Sequence, residues 1–90
     1  MQTEEVSVYD IKTGDRILHF GLVLLVDREF SQTNHRVDDG GPTMATAALI
    51  TNWDEGAGVD NLAEVDEEGN RRWVIQSNGR GRWTRILNDN

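Results

Sequence analysis

The chain has 90 residues, a net charge of −7 and no cysteine. This length fits one domain spanning residues 1–90, and the lack of cysteine excludes disulfide bonds, thiolate zinc sites and a cysteine nucleophile. The longest apolar run, residues 17–26, is too short to cross a bilayer, and the N-terminus lacks the features of a signal peptide, so we expect a cytoplasmic protein.

The first predicted strands lie within residues 6–30. Val6 and Val8 flank a polar residue, as in a strand, and the KTGD segment that follows is typical of a turn. Nearly every residue from 17 to 26 is apolar, without helical periodicity. We therefore predict two short strands separated at Gly21, or one long strand that bends there.

The middle of the chain contains two predicted loops around one strand. Residues 31–42 are rich in turn-forming residues, and residues 54–60 form an acidic segment that contains glycine. Between them, residues 43–53 hold alanines, which favour helix, together with threonine, isoleucine and tryptophan, which favour strand. We predict a strand, because a proline precedes the segment and an asparagine closes it.

The last third of the chain contains a predicted hairpin and a final strand. Two runs within residues 62–76 join at a turn over residues 67–70, and a glycine-bearing turn at residues 77–82 leads into the strand WTRIL. Trp73 shares a strand face with an isoleucine, so we expect its side chain to be buried. In total, five to six short antiparallel strands predict an all-β fold.

The stretch VYDIKTGDRILHFGLVLLVD resembles the opening of SH3-like small barrels, in which a Gly-Asp-Arg-Ile turn leads into a strand, a glycine and a second apolar strand. The chain is also similar to small proteins of actinobacterial bacteriophages, many of which begin with a comparable Gly-Asp-Arg stretch and end in a tryptophan-containing strand. The resemblance covers residues 6–30. It implies a small SH3-like β-barrel of phage origin, located in the cytoplasm of the host cell, and it leaves the activity open.

Few residues suggest catalysis or metal binding. The two histidines, His19 in the apolar run and His35 in a loop, lack carboxylates at metal-ligand spacing. The acidic segment 52–61 fails the EF-hand template, which requires a glutamate where Ala63 stands. The paired glycines lack the third glycine of a phosphate-binding loop, and no serine lies in a nucleophile elbow. We therefore expect no enzyme activity, no metal and no cofactor.

Charge is distributed unevenly along the chain. Residues 1–70 carry a net charge of −11, whereas residues 71–90 carry five arginines, one acid and a net charge of +4. Because the domain is small, we expect Arg82 and Arg85 to reach carboxylates of earlier strands. Arginine and tryptophan are also the residues most enriched in interface hot spots. The candidate binding residues are Arg71, Arg72, Arg80, Arg82, Trp83 and Arg85.

Three interpretations of this arginine-rich segment remain open. The arginines can pair with acids of the same hairpin (Glu64, Asp66, Glu67 and Glu68), with only ~0–1 kcal/mol from each exposed pair. They can bind a partner protein, or they can bind single-stranded nucleic acid, which the net charge of −7 disfavours. We expect a non-enzymatic protein that binds a host protein or a second copy of itself. Single-strand binding and a minor role in virion assembly are the alternatives.

Overall fold

The computed structural model describes residues 2–32, 42–53 and 64–88. Within these ranges the chain forms eight β-strands and no α-helix, and a 3₁₀ turn at Val8–Asp10 follows the first strand. The strands are β1 (Gln2–Val6), β2 (Arg16–His19), β3 (Leu22–Leu25), β4 (Ser31–Gln32), β5 (Met44–Ile50), β6 (Glu64–Val65), β7 (Arg71–Ser77) and β8 (Trp83–Asn88).

All eight strands belong to one antiparallel sheet, and this sheet is curled. The strand order is β1-β8-β2-β3-β5-β7-β6, and β4 pairs with the start of β5. Adjacent strands lie about 4.8 Å apart, so β2 and β7, which are three positions apart in this order, would be roughly 14 Å apart in a flat sheet. Yet the ring centroids of His19 on β2 and Trp73 on β7 are only 5.5 Å apart. The sheet therefore curls until side chains of β2 and β7 meet.

The first and last strands of the chain pair with each other. β1 runs antiparallel to β8 with Val6 opposite Trp83, and the Thr84 hydroxyl donates a hydrogen bond to Glu5 Oε1 at 2.9 Å. On its other side β8 pairs with β2. The last strand is thus an interior strand of the sheet, whereas the polar strand β1 lies at one end of the strand order.

The hydrophobic core lies on the inner face of the curled sheet. Its residues occupy alternate positions of β3 and β5, because successive side chains of a strand point to opposite faces. Leu18, Val23 and Leu25 lie on the other face and are half-buried, which explains why residues 17–26 are almost uniformly apolar. The buried apolar residues are Val6, Val8, Ile11, Ile17, Leu22, Leu24, Val26, Ala48, Ile50, Ile75 and Ile86.

The structure confirms the all-β prediction, the strand within residues 43–53 and the separation of two strands at Gly21. The expected number of five to six strands is too low. β4 and β6 have only two residues each, and β1 is almost entirely polar, so none of them carries an apolar repeat. Their positions are fixed by backbone pairing instead. The predictions for His35 and for the acidic loop at residues 54–60 lie outside the described ranges.

Candidate aromatic binding surface

The turn between β2 and β3 places a phenylalanine in an unfavourable backbone conformation. His19 pairs directly with Leu22, so the turn consists of Phe20 and Gly21, whose φ angles are 51° and 78°. Positive φ at both central residues is the pattern of a type I′ turn, which favours Asn-Gly. The left-handed region costs an ordinary L-residue roughly 1–2 kcal/mol. The Asn52 side chain supports the turn by donating a hydrogen bond to the Gly21 carbonyl at 3.0 Å.

Four aromatic side chains meet beside this turn. The His19 ring centroid is 4.3 Å from that of Phe20, 5.5 Å from that of Trp73 and 4.9 Å from that of Trp83. The Phe20 and Trp73 centroids are 6.2 Å apart, with the rings edge to face. We call these four residues the aromatic patch. The register of β2 with β8 and the curl of the sheet bring the patch together from three separate parts of the chain.

The members of the aromatic patch differ in exposure. Phe20 is 75 % exposed, whereas His19, Trp73 and Trp83 are half-buried. Burial lowers the pKa of His19 below its ordinary value, so its imidazole is neutral at pH 7. The rings contact one another directly, unlike an aromatic cage, in which they surround a cavity large enough for a cation. Phe20 is therefore the most exposed ring of the patch, while Trp73 and Trp83 also pack against the hydrophobic core.

Two arginines lie next to the aromatic patch. The Arg71 guanidinium carbon is 4.9 Å from the centroid of the Trp53 ring, a cation–π distance. Arg71 and Trp73 occupy the same face of β7, about 7 Å apart along the strand. Arg82 is exposed and directly precedes Trp83. Positive charge therefore lies beside the patch on β7 and directly before β8.

Arg72 has a different environment and is only 5 % exposed. Its Nη1 and Nη2 donate to the two carboxylate oxygens of Asp27 at 2.8 and 3.0 Å, and its Nε donates to Asp66 Oδ2 at 2.7 Å. The Ala47 carbonyl accepts a further hydrogen bond from Nη1 at 3.0 Å. The hydrogen bonds to Asp27 and then Asp66 raise the pKa of Arg72, so it stays charged although it is buried. Arg72 is a structural cation that joins β7 to the end of β3.

The two carboxylates that hold Arg72 are both stabilised in their charged form. The hydrogen bond from Arg72 lowers the pKa of Asp27. The same interaction, helped by the backbone N–H of Asn70, lowers the pKa of Asp66 to about 2. Asp66 Oδ1 accepts from the backbone N–H groups of Glu68 and Asn70, both at 2.9 Å. One aspartate thus closes the β6–β7 turn and binds Arg72 at the same time.

Arg85 is also held by acids of the same chain. Its guanidinium lies 3.1 Å from Glu4 Oε1 and 3.1 Å from Asp15 Oδ2, and it donates to the Asp10 carbonyl at 2.9 Å. The hydrogen bond to Asp15 is the largest of the effects that raise the pKa of Arg85. The expectation that Arg85 reaches carboxylates of earlier parts of the chain is confirmed, because β8 pairs with β1 on one side and with β2 on the other.

The structure separates the six predicted binding residues into three groups, and their role in binding stays a prediction. Trp83 belongs to the aromatic patch, and Arg71 and Arg82 border it. Arg72 and Arg85 are held by internal ion pairs. Arg80 is exposed in the turn before β8, where its backbone N–H donates to Asn78 Oδ1.

Sequence reasoning missed Phe20 and His19 as members of a site. The apolar run conceals the exposure of Phe20, since Phe-Gly is not a favoured type I′ pair and nearly every residue on either side of it is apolar. The one available signal is a single glycine between two apolar stretches. It locates the chain reversal, but it does not show that the residue before the glycine is the exposed one.

Apart from the aromatic patch and the arginine ion pairs, the described part of the chain has a groove at its surface. This groove of about 280 Å³ lies between the 3₁₀ turn and β5, lined by Tyr9, Lys12, Phe30 and Met44 among others. In residues 2–32, 42–53 and 64–88, no three acids or histidines are arranged to hold a metal ion, and no helix is long and apolar enough to cross a membrane.

Comparisons with protein-family models, with curated proteins and with solved structures find no match to this chain. Function is therefore inferred from the residues and their geometry.

Proposed function

We propose that this protein is a non-enzymatic binding module that docks on another protein through the aromatic patch. The observation that carries the proposal is Phe20, which is 75 % exposed at a turn where its φ is 51°. A large aromatic side chain in this position adds little to the core, and its backbone conformation costs roughly 1–2 kcal/mol. Such strain tends to occur at functional sites. A protruding phenylalanine beside arginine and tryptophan fits an interface hot spot.

The charges beside the aromatic patch favour a different protein over a second copy of this chain. In a two-fold dimer each patch would face itself, so Arg71 and Arg82 of one copy would approach the same residues of the other. Like charges brought together in an interface are costly. The resemblance to SH3-like barrels of actinobacterial phages supports the further proposal that the partner is a host protein, met in the host cytoplasm.

Single-stranded nucleic acid is the second candidate ligand, because aromatic rings beside arginines are also the means by which small barrels hold single strands. The geometry favours it less. Arg72 and Arg85 are neutralised by internal carboxylates. Trp73 and Trp83 pack against His19, so within the patch only Phe20 offers a widely exposed ring face. A chain of net charge −7 also repels a polyanion at long range.

The test is affinity capture from an actinobacterial lysate, followed by reconstitution with the purified, identified partner. The parent protein is compared with Phe20→Ser and with Leu87→Ser. Leu87 is a matched control, because it is also apolar and exposed, at 51 %, but lies four residues beyond Trp83. We expect Phe20→Ser to weaken the reconstituted complex at least tenfold in calorimetry and Leu87→Ser to leave it unchanged.

Other results would redirect the proposal. A complex that is insensitive to Phe20→Ser would remove the aromatic patch from consideration. A dimer in light scattering that Phe20→Ser dissociates would make a second copy the partner. Tight, salt-sensitive binding of a 20-nucleotide oligothymidine, measured by fluorescence anisotropy and lost in Phe20→Ser, would favour the nucleic acid candidate.

A further inference from the structure

We infer that the partner segment that docks on the aromatic patch is an acidic peptide stretch with one large apolar side chain as its anchor. This inference rests on the proposed function, because it assigns the chemistry of the partner to the same site. It is carried by the distribution of charge among the arginines and by the shape of the patch.

The structure divides the arginines of the last third into neutralised and outward-facing ones. Arg72 is bound to Asp27 and Asp66, and Arg85 is bound to Glu4 and Asp15. The positive charges of Arg72 and Arg85 are therefore neutralised within the fold by four carboxylates. Among the described residues beside the aromatic patch, Arg71 is half-buried and Arg82 is exposed, so both offer positive charge at the surface.

Arg71 is held in place without being neutralised by a neighbouring strand. Its register partner on β6 is Val65, whereas Glu64 of the same strand lies opposite Arg72 and so faces away from Trp73. The Trp53 ring supports the Arg71 guanidinium from below at 4.9 Å. A guanidinium fixed on an aromatic ring loses little freedom on binding, and its planar N–H donors suit a carboxylate.

The shape of the aromatic patch calls for an apolar anchor in the partner. Phe20 lies in the turn and is 75 % exposed, and its ring meets that of Trp73 edge to face with centroids 6.2 Å apart. The surface thus offers one widely exposed ring, against which a single Leu, Phe or Trp side chain of a peptide can pack. Binding single strands by stacking requires several exposed ring faces in series, so the patch suits a peptide better than a nucleic acid.

The inference can be tested by selecting a random 12-residue display library on the full-length protein and counter-selecting on Phe20→Ser. We expect enriched peptides with an excess of Asp and Glu around one large apolar residue. The consensus peptide, made synthetically, should bind in isothermal calorimetry, and its affinity should fall as NaCl is raised.

Three arginine variants show which positive charges contribute to the affinity for the peptide. Arg71→Gln and Arg82→Gln should each weaken the consensus peptide about 2–5-fold, the range expected for an exposed charge contact. Arg28→Gln is the matched control, because Arg28 is exposed but follows the far end of β3, away from the turn. It should leave the affinity unchanged.

The possible failures are distinguishable. Peptides that need Phe20 but are basic or uncharged would overturn the acidic assignment and leave the proposed function standing. A selection that yields no Phe20-dependent peptide would overturn both. Tighter binding of 20-nucleotide oligothymidine than of the consensus peptide, lost in Phe20→Ser, would replace the peptide with a nucleic acid.

Discussion

Strand β7 buries an arginine more deeply than the tryptophan that follows it. Arg72 is almost completely buried and bound to two aspartates, whereas Trp73, on the other face, is only half-buried and packs against the exposed Phe20. Alternation along a strand decides which face a residue occupies, but what covers that face decides its exposure. We call Arg72 with Asp27 and Asp66 the arginine centre. It contributes to stability, while the aromatic patch leaves Phe20 largely exposed to solvent.

The sharpest test of this comparison pairs the two residues that share the inner face of β7. Ile75 is fully buried, so Ile75→Ala should lower the free energy of unfolding by about 3–4 kcal/mol. Trp73→Ala should cost at least 1 kcal/mol less than Ile75→Ala in urea denaturation, although tryptophan is the larger side chain, because part of its ring is already in water. Equal or greater destabilisation by Trp73→Ala would place Trp73 in the core instead.

Arg72→Met should show that the arginine centre is part of the fold. The change leaves Asp27 and Asp66 without their cation, and removal of one member of a buried ion pair typically costs 3–5 kcal/mol. Because the Asp27 and Asp66 side chains are 32 % and 13 % exposed, we expect a smaller loss of roughly 2–3 kcal/mol in urea denaturation. Arg82→Gln, the exposed control, should stay within about 0.5 kcal/mol of the parent; comparable losses for both variants would contradict the distinction.

Acid should weaken the arginine centre before it affects the aromatic patch. The pKa of Asp66 is lowered to about 2, and that of Asp27 is also lowered, by hydrogen bonds from Arg72. A carboxylate with a depressed pKa stabilises the fold above its unfolded pKa, about 3.9, and this contribution is lost as pH falls towards 2. Thermal melting should therefore show a falling midpoint between pH 4 and pH 2. Asp66→Asn should flatten this dependence, whereas Glu67→Gln, at the exposed tip of the same turn, should leave it intact.

Phe20→Asn should separate stability from binding most clearly, with the smallest effect on the fold. Asparagine tolerates the left-handed conformation and forms the favoured Asn-Gly type I′ turn. Relief of the backbone strain offsets the lost ring contacts, so the free energy of unfolding should stay the same or rise by up to about 1 kcal/mol. Affinity for the partner should fall at least tenfold. A clear loss of stability would mean that Phe20 belongs to the fold rather than to an interface.

Local chemistry explains which parts of this structure could be predicted from the sequence. The strand at Met44–Ile50 and the turn at Asp66–Asn70 follow from β-propensity and turn residues, both of which act over a few positions. The burial of Arg72 depends on Asp27, which lies 45 residues earlier in the chain and meets it only after the sheet has curled. The sequence pattern therefore identified an arginine-rich segment, but it did not show which of these arginines are bound to internal acids and which are exposed.

Phe20 was unpredictable for a different reason. Turn propensities describe the residue that a backbone conformation prefers, and here the conformation is imposed by Gly21, Asn52 and the flanking pairs of β2 and β3. The resulting mismatch between residue and conformation is visible only in three dimensions. Residues that do not match their backbone conformation are expected at sites selected for function rather than for stability.

The pairing of β1 with β8 has a consequence for the order in which the sheet assembles. Val6 and Trp83 are 77 residues apart in the chain, whereas β2 and β3 meet across two residues. Contacts that close long loops form late, because the chain loses the conformational entropy of the loop before the contact contributes any stabilising energy. Among the described residues, β1 pairs with one strand only, as β4 and β6 do, so it should detach in sub-global openings that hydrogen exchange would detect. Each such opening exposes the hydrogen-bonding edge of β8 beside Trp83, a template on which a strand from another molecule could be exchanged.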